Sequence, residues 1–138
     1  MKSQIFGGIL LSVLLALSIG VALAEGESGS DKIIIKNVSF IAPSPVREHL
    51  NGEWVEIANQ GSSDQSLDKW TLKSKGNHTY TFKNFTLKTS SSVKVHTGKG
   101  DDTLTDLYWG RGSPVWNDNG DTATLREVSG KVVASYSK

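Results

Sequence analysis

Across residues 25–138, Val, Ile, Thr and aromatic residues recur in short runs separated by Gly, Pro, Asn, Asp and Ser, and no stretch sustains the spacing of a long amphipathic helix. That pattern restricts the chain to an all-β architecture. Lys32–Ile41 reads as a first strand, halted by Pro43 and Pro45, and Glu53–Asn59 as a second with Val55 and Ile57 on one face. A polar loop over Gln60–Gln65 leads to Leu67 and Trp70–Leu72, a Gly76-Asn77 turn leads to His78–Phe82, and Val93–Val95 alternates again. Asp121–Arg126 and Lys131–Ser137 close the series, joined at Ser129-Gly130. About seven short strands form the layout of an immunoglobulin-like β-sandwich, which buries alternating residues of two sheets. The expected core is Ile35, Val38, Val55, Ile57, Leu67, Trp70, Leu72, Phe82, Leu87, Val93, Val95, Trp116, Leu125 and Val133. Sugars stack on aromatic faces, but Trp70 and Trp116 fit the core better, given the apolar area an indole buries; Trp54 and Trp109 stay open.

The first 24 residues have a different character. Lys2 is followed by an uncharged, mostly apolar run, Ile5–Val21, ending in Ala22-Leu23-Ala24. A positive start, an apolar middle and small residues at the last and third-last positions are the layout of a signal peptide, with cleavage expected between Ala24 and Glu25. The alternative is an uncleaved N-terminal membrane anchor, since the run approaches the ~20 residues that span a bilayer. The chain then divides into a leader, 1–24, a short polar tether, 25–32, and one β-sandwich domain, 33–138. Removing 24 of 138 residues leaves 114, enough to bury a core without covalent staples. There is no cysteine, so neither a disulfide framework, a thiolate metal site nor attachment through an N-terminal lipidated cysteine is available. The leader holds one of the 15 basic residues, Lys2, which leaves 14 against 14 acidic ones. A net charge of zero argues against a general polyanion binder.

Charge is nevertheless uneven along the chain. Between Lys69 and Gly100 lie seven lysines, Lys69, Lys73, Lys75, Lys83, Lys88, Lys94 and Lys99, and apart from them no other residue of formal charge. Lysine on exposed strands commonly keeps sheet edges from pairing with other chains. The functional alternative is a basic face for nucleic acid, an acidic glycan or a lipid head group. His49, His78 and His96 show no metal-ligand spacing and no local triad motif, and the last two read as surface residues. Gly98-Lys99-Gly100 and Gly110-Arg111-Gly112 open no helix, so they read as loop glycines rather than phosphate loops. Glu53 and Glu56 read as residues of an alternating strand, not as a glycosidase pair. In Asn117–Asp121 the glycine falls at the wrong position for a calcium loop of the EF type, and Asn119-Gly120 suits a tight hairpin turn. Asp101, Asp102 and Asp106 are the alternative calcium cluster. Asn37, Asn77 and Asn84 each begin an N-glycosylation triplet. No cofactor, no metal and no catalytic residue is expected.

From about Ile34 to Tyr136 the chain resembles the lamin tail domain, an immunoglobulin-like module, in its exported prokaryotic form. The resemblance is carried by Glu53-Trp54-Val55-Glu56-Ile57-Ala58-Asn59, by Ser63–Leu72, by Tyr80-Thr81-Phe82 with Phe85-Thr86-Leu87, by Val93–Gly98, by Thr105–Trp109 and by Trp116–Asp121. Nuclear members of that family join the domain to a coiled-coil rod, and no heptad repeat occurs here. Exported prokaryotic members resemble accessory modules that bind or tether, often beside nucleases or other hydrolases; with the last strand ending near Lys138, a catalytic partner is expected on a separate chain. The resemblance implies a monomeric, non-catalytic binding or adhesion module, secreted or at the cell surface, whose partner is a protein, a glycan or an envelope component. Membrane association is expected only if the leader is retained, and a nucleic-acid or other polyanion binder using the seven lysines is the alternative.

Overall fold

The computed structural model describes residues 29–138; the expected leader, the expected cleavage site and the first half of the expected tether, 25–28, lie outside the described residues. A short 3-10 turn at Gly29–Lys32 enters ten strands. They are β1 Ile33–Ser39, β2 Trp54–Asn59, β3 Gln65–Ser66, β4 Thr71–Lys73, β5 Thr79–Thr81, β6 Thr86–Leu87, β7 Ser92–His96, β8 Asp106–Tyr108, β9 Thr122–Arg126 and β10 Val132–Ser137. One sheet has the order β1-β2-β7-β8, a second β10-β9-β4-β5, and β3 pairs with β6 as a small ribbon. The expected all-β sandwich is the observed fold. Every pairing is antiparallel except β7 with β8.

Register explains why the core residues meet. In the first sheet Ile35 lies opposite Ile57, Val38 opposite Val55, and Val55 in turn opposite Val95. Ile35 and Val38 are three apart, a spacing that simple alternation would place on opposite faces. A register shift between Ile35 and Asn37 adds one residue, leaves Lys36 and Asn37 both exposed, and returns Val38 to the interior. In the second sheet Leu72 pairs with both Leu125 and Tyr80, and Ala123 pairs with Tyr136. Of the expected core, only Val133 is less than fully buried; it packs against the cluster from the side. Ile33, Phe40, Phe85, Leu107, Val115 and Ala123 complete the cluster.

Several expectations are corrected. Asn117–Asp121 is a turn, with the Gly120 amide donating to the Asn117 carbonyl at 3.1 Å and Gly120 at φ +131°, but it does not close a hairpin. The chain there crosses from β8 in one sheet to β9 in the other. Tertiary packing, with Phe40 stacked on Trp116 at 4.8 Å, therefore positions that turn rather than strand pairing. Asp121, at the end of that turn, is buried, and its carboxylate accepts from the amides of Lys75, Asn117 and Thr122 at 2.9, 2.9 and 2.7 Å. Asn77 and Asn84 occupy left-handed backbone positions, which short polar side chains tolerate in turns.

Trp70 is 5 % exposed among Leu67, Leu72 and Phe82, all fully buried. Replacing it with alanine leaves a cavity that a close-packed sandwich fills only in part. Trp70→Ala is expected to cost ~3 to 5 kcal/mol, read as a lowered midpoint in chemical denaturation. An unchanged midpoint contradicts the core assignment.

Candidate functional site

The linear lysine segment does not fold into one surface. Leu72 and Val93/Val95 point into the core from opposite sheets, so Lys73 and Lys94, their strand neighbours, stand on opposite outer faces. Lys94 is half-buried with its ammonium 4.1 Å from the centre of the Trp54 ring, and Lys88 faces Asp64 at 3.5 Å. Lys69, Lys75 and Lys83 sit in separate connections. Lys73 and Lys75 share a shallow depression with Arg126, Thr122 and Thr124, Lys83 lines a separate cleft with Tyr80, Tyr108 and Asp102, and Lys99 lines a third with Arg47 and Arg111.

The histidines and carboxylates turn out to be structural groups more than surface ones. Contrary to the surface reading, His96 bonds on both sides of its ring, Nδ1 to the Asn51 carbonyl at 3.0 Å and Nε2 to Asp106 Oδ1 at 2.8 Å. It thereby ties β7 to β8 and to the chain entering β2. Asp102, the second member of the alternative calcium cluster, accepts from the Tyr108 amide at 2.9 Å, and Asp106 also accepts from the Thr105 hydroxyl at 2.7 Å. His78 is half-buried in the β4–β5 turn, its amide donating to Ser74 Oγ at 3.3 Å. Asn59 is buried and donates to the Ser63 and Leu87 carbonyls at 2.9 and 3.0 Å.

Glu53 departs furthest from the reading as an ordinary strand residue. It is fully buried, one residue before β2 begins. Its Oε1 accepts from the Thr97 hydroxyl at 2.9 Å, the Val115 amide at 3.0 Å and the Trp116 amide at 3.5 Å. The Glu53 carbonyl accepts from the Thr97 amide at 3.1 Å. One side chain therefore joins the end of β7 to the long β8–β9 connection. Glu56, by contrast, is half-buried and accepts from the Ser92 hydroxyl at 2.9 Å on the neighbouring strand.

Those bonds shape the end of the sandwich where three connections converge. Asn51 accepts from the Gly98 amide at 2.8 Å and donates to the Lys99 carbonyl at 2.9 Å, which pins the β7–β8 connection to the β1–β2 connection. The Gly110 amide donates to the Gly98 carbonyl at 2.8 Å, and the Arg111 amide to the Thr97 carbonyl at 2.9 Å. The two Gly-cation-Gly stretches thus lie side by side. Glycine is required at 98, where an added Cβ would stand 2.6 Å from Asn51 Oδ1, and suits 110, where φ is +82°. Arg47 completes the cluster by donating to the Gly112 carbonyl at 3.0 Å. The result is an open cleft of about 560 Å³ lined by Arg47, Lys99 and Arg111 against a single carboxylate, Glu48. Sequence reasoning missed Arg47, 64 residues before Arg111, and read Gly98-Lys99-Gly100 and Gly110-Arg111-Gly112 only as loop glycines.

Two sheets packed face to face around one apolar core, with the chain crossing between them, define an immunoglobulin-like β-sandwich module. The model of the lamin tail domain family matches residues 26–138, and the chain belongs to that family. Among curated proteins, nothing matches the chain.

The His96 bond, helped by Thr105, holds the Asp106 carboxyl below its ordinary value of 3.8. A depressed native value means that this contact stabilises the fold fully above the ordinary value and is lost as pH falls through the native one. The stability gap between the wild-type protein and Asp106→Asn is therefore expected to be wide near about pH 6 and to close toward about pH 2, measured by urea denaturation. A gap independent of pH contradicts an ionised Asp106 paired with His96.

Proposed function

We infer that the protein is an exported, non-catalytic, monomeric binding or adhesion module that acts by surface contact at the cell surface or outside the cell. The observation that carries this reading is the division of labour among polar groups. Glu53, Asn59, Asp121 and the His96–Asp106 pair serve as internal struts, while the concavity at the loop end is lined by groups suited to holding a partner. Membership of the lamin tail domain family supports a module rather than a self-contained catalyst. The layout of Met1–Ala24 supports export. The partner is a protein, glycan or envelope component. The polyanion alternative retains one point of support, since Lys99 joins Arg47 and Arg111 at the cleft.

Fractionation of the native host, N-terminal sequencing and retention on whole cells test the reading together. The expected result is a mature protein that begins at Glu25, is found outside the cytoplasm and binds cells saturably. Recovery of an intact Met1 form in the membrane fraction replaces secretion with anchoring, and a cytoplasmic protein without saturable binding overturns the reading.

A further inference from the structure

We propose that the cleft between the β1–β2, β7–β8 and β8–β9 connections is a binding site for phosphate or sulfate ester groups carried on a glycan or polyol chain. The proposal rests on the reading of the protein as a binding module and names the ligand class of its loop end. Three cations from three separate connections converge there, Arg47, Lys99 and Arg111, and only Glu48 opposes them. The sequence as a whole has no comparable excess, so the charge is gathered locally; the shallower depression of Lys73, Lys75 and Arg126 also holds three cations, but two of them come from one strand and the turn that follows it.

The geometry favours a tetrahedral oxyanion ester. Guanidinium groups present planar forks of donors that pair with two oxygens at once, and a lysine adds a mobile point charge. Arg47 is already oriented by its bond to the Gly112 carbonyl at 3.0 Å, and the backbone that carries Lys99 and Arg111 is fixed by Asn51, Gly110 and Thr97. Connections held in place before the ligand arrives lose little entropy on binding it. Gly112, where an added Cβ would meet nothing within 4 Å, leaves open space in the lining through which an anion can approach.

The same lining argues against nucleic acid. Single strands are gripped by stacking bases on aromatic rings, and the cleft has no Trp, Tyr or Phe. Duplex recognition calls for an element that enters a groove or a broad basic face, and of the lysines outside the cleft Lys73 and Lys94 stand on opposite faces while Lys69, Lys75, Lys83 and Lys88 sit in connections. A volume of about 560 Å³ suits a short charged segment of a flexible chain.

The test titrates the purified full chain with dextran sulfate, inorganic phosphate, neutral dextran and a single-stranded oligonucleotide, at about 0.15 M salt, following backbone amide signals. Expected are saturable shifts at Gly98, Gly110 and Arg111 with dextran sulfate, weaker shifts at the same amides with phosphate, and none with neutral dextran. Combining Lys99→Gln with Arg111→Gln is expected to weaken dextran sulfate binding about tenfold or more without lowering Tm, because neither side chain holds the loops, and Lys73→Gln with Lys75→Gln to leave it unchanged. An oligonucleotide that binds as tightly as dextran sulfate at these amides overturns the glycan assignment in favour of nucleic acid. Equal losses in the two double variants, or the absence of saturable shifts at the cleft, overturn the site. Wild-type adhesion to cells that survives the Lys99/Arg111 double variant also overturns the site while leaving the binding-module reading intact; loss of adhesion by the wild-type protein overturns that reading instead.

Discussion

The buried carboxylate of Glu53 is the contact on which the loop end of this sandwich depends. It accepts hydrogen bonds from the Thr97 hydroxyl at the end of β7 and from the Val115 and Trp116 amides, which lie further along the β8–β9 connection than the backbone bonds of Gly110 and Arg111 to Gly98 and Thr97. A buried donor left without a partner costs about 1–3 kcal/mol, so the amides of Val115 and Trp116 are held to this geometry by the lack of an alternative. Trp116 is thereby seated on Phe40 and edge-on to Trp109, at centroid distances of 4.8 and 6.1 Å. Polar anchoring and aromatic packing fix the same connection from two sides.

Asn51 and His96 extend that arrangement outward. The Asn51 side chain holds Gly98 and Lys99, its carbonyl meets His96, and His96 meets Asp106. Each of the three loop segments around the cleft is consequently tied to a strand end, directly or through one side chain. Arg47, Lys99 and Arg111 project from a preformed rim, which is how an immunoglobulin-like module can present a specific surface on connections without long flexible loops. Lys73 and Lys94, on the outer faces of the two sheets, and the lysines of the other connections contribute dispersed charge.

The fold was largely legible in the sequence because strand alternation is a local signal. Val55, Ile57, Val93, Val95, Leu72 and Leu125 announce their burial by apolar character at period two, and all are 1 % exposed or less. The pair Ile35 and Val38 even hinted at the β1 bulge through its odd spacing. The role of Glu53 was missed for the opposite reason: a charged residue on a strand announces no buried role until the amides that satisfy it, tens of residues away, are brought to it by the fold. The Asn119-Gly120 dipeptide correctly marked a turn, yet whether a turn joins paired strands or crosses between sheets is decided by tertiary packing. The cleft was hidden for a further reason, since its cations come from residues 47, 99 and 111, and only the folded connections put them together.

Hydrogen exchange at the Val115 and Trp116 amides tests the role of Glu53 most directly, with Glu53→Ala compared against Glu53→Gln. Glutamine keeps an acceptor oxygen of the same reach, whereas alanine removes it. The expected result is exchange accelerated about tenfold or more at these amides in Glu53→Ala, near wild-type protection in Glu53→Gln, and unchanged protection at Val55 and Val95 in the sheet. Equal protection of Val115 and Trp116 in the alanine and glutamine variants would contradict a β8–β9 connection held by the Glu53 carboxylate.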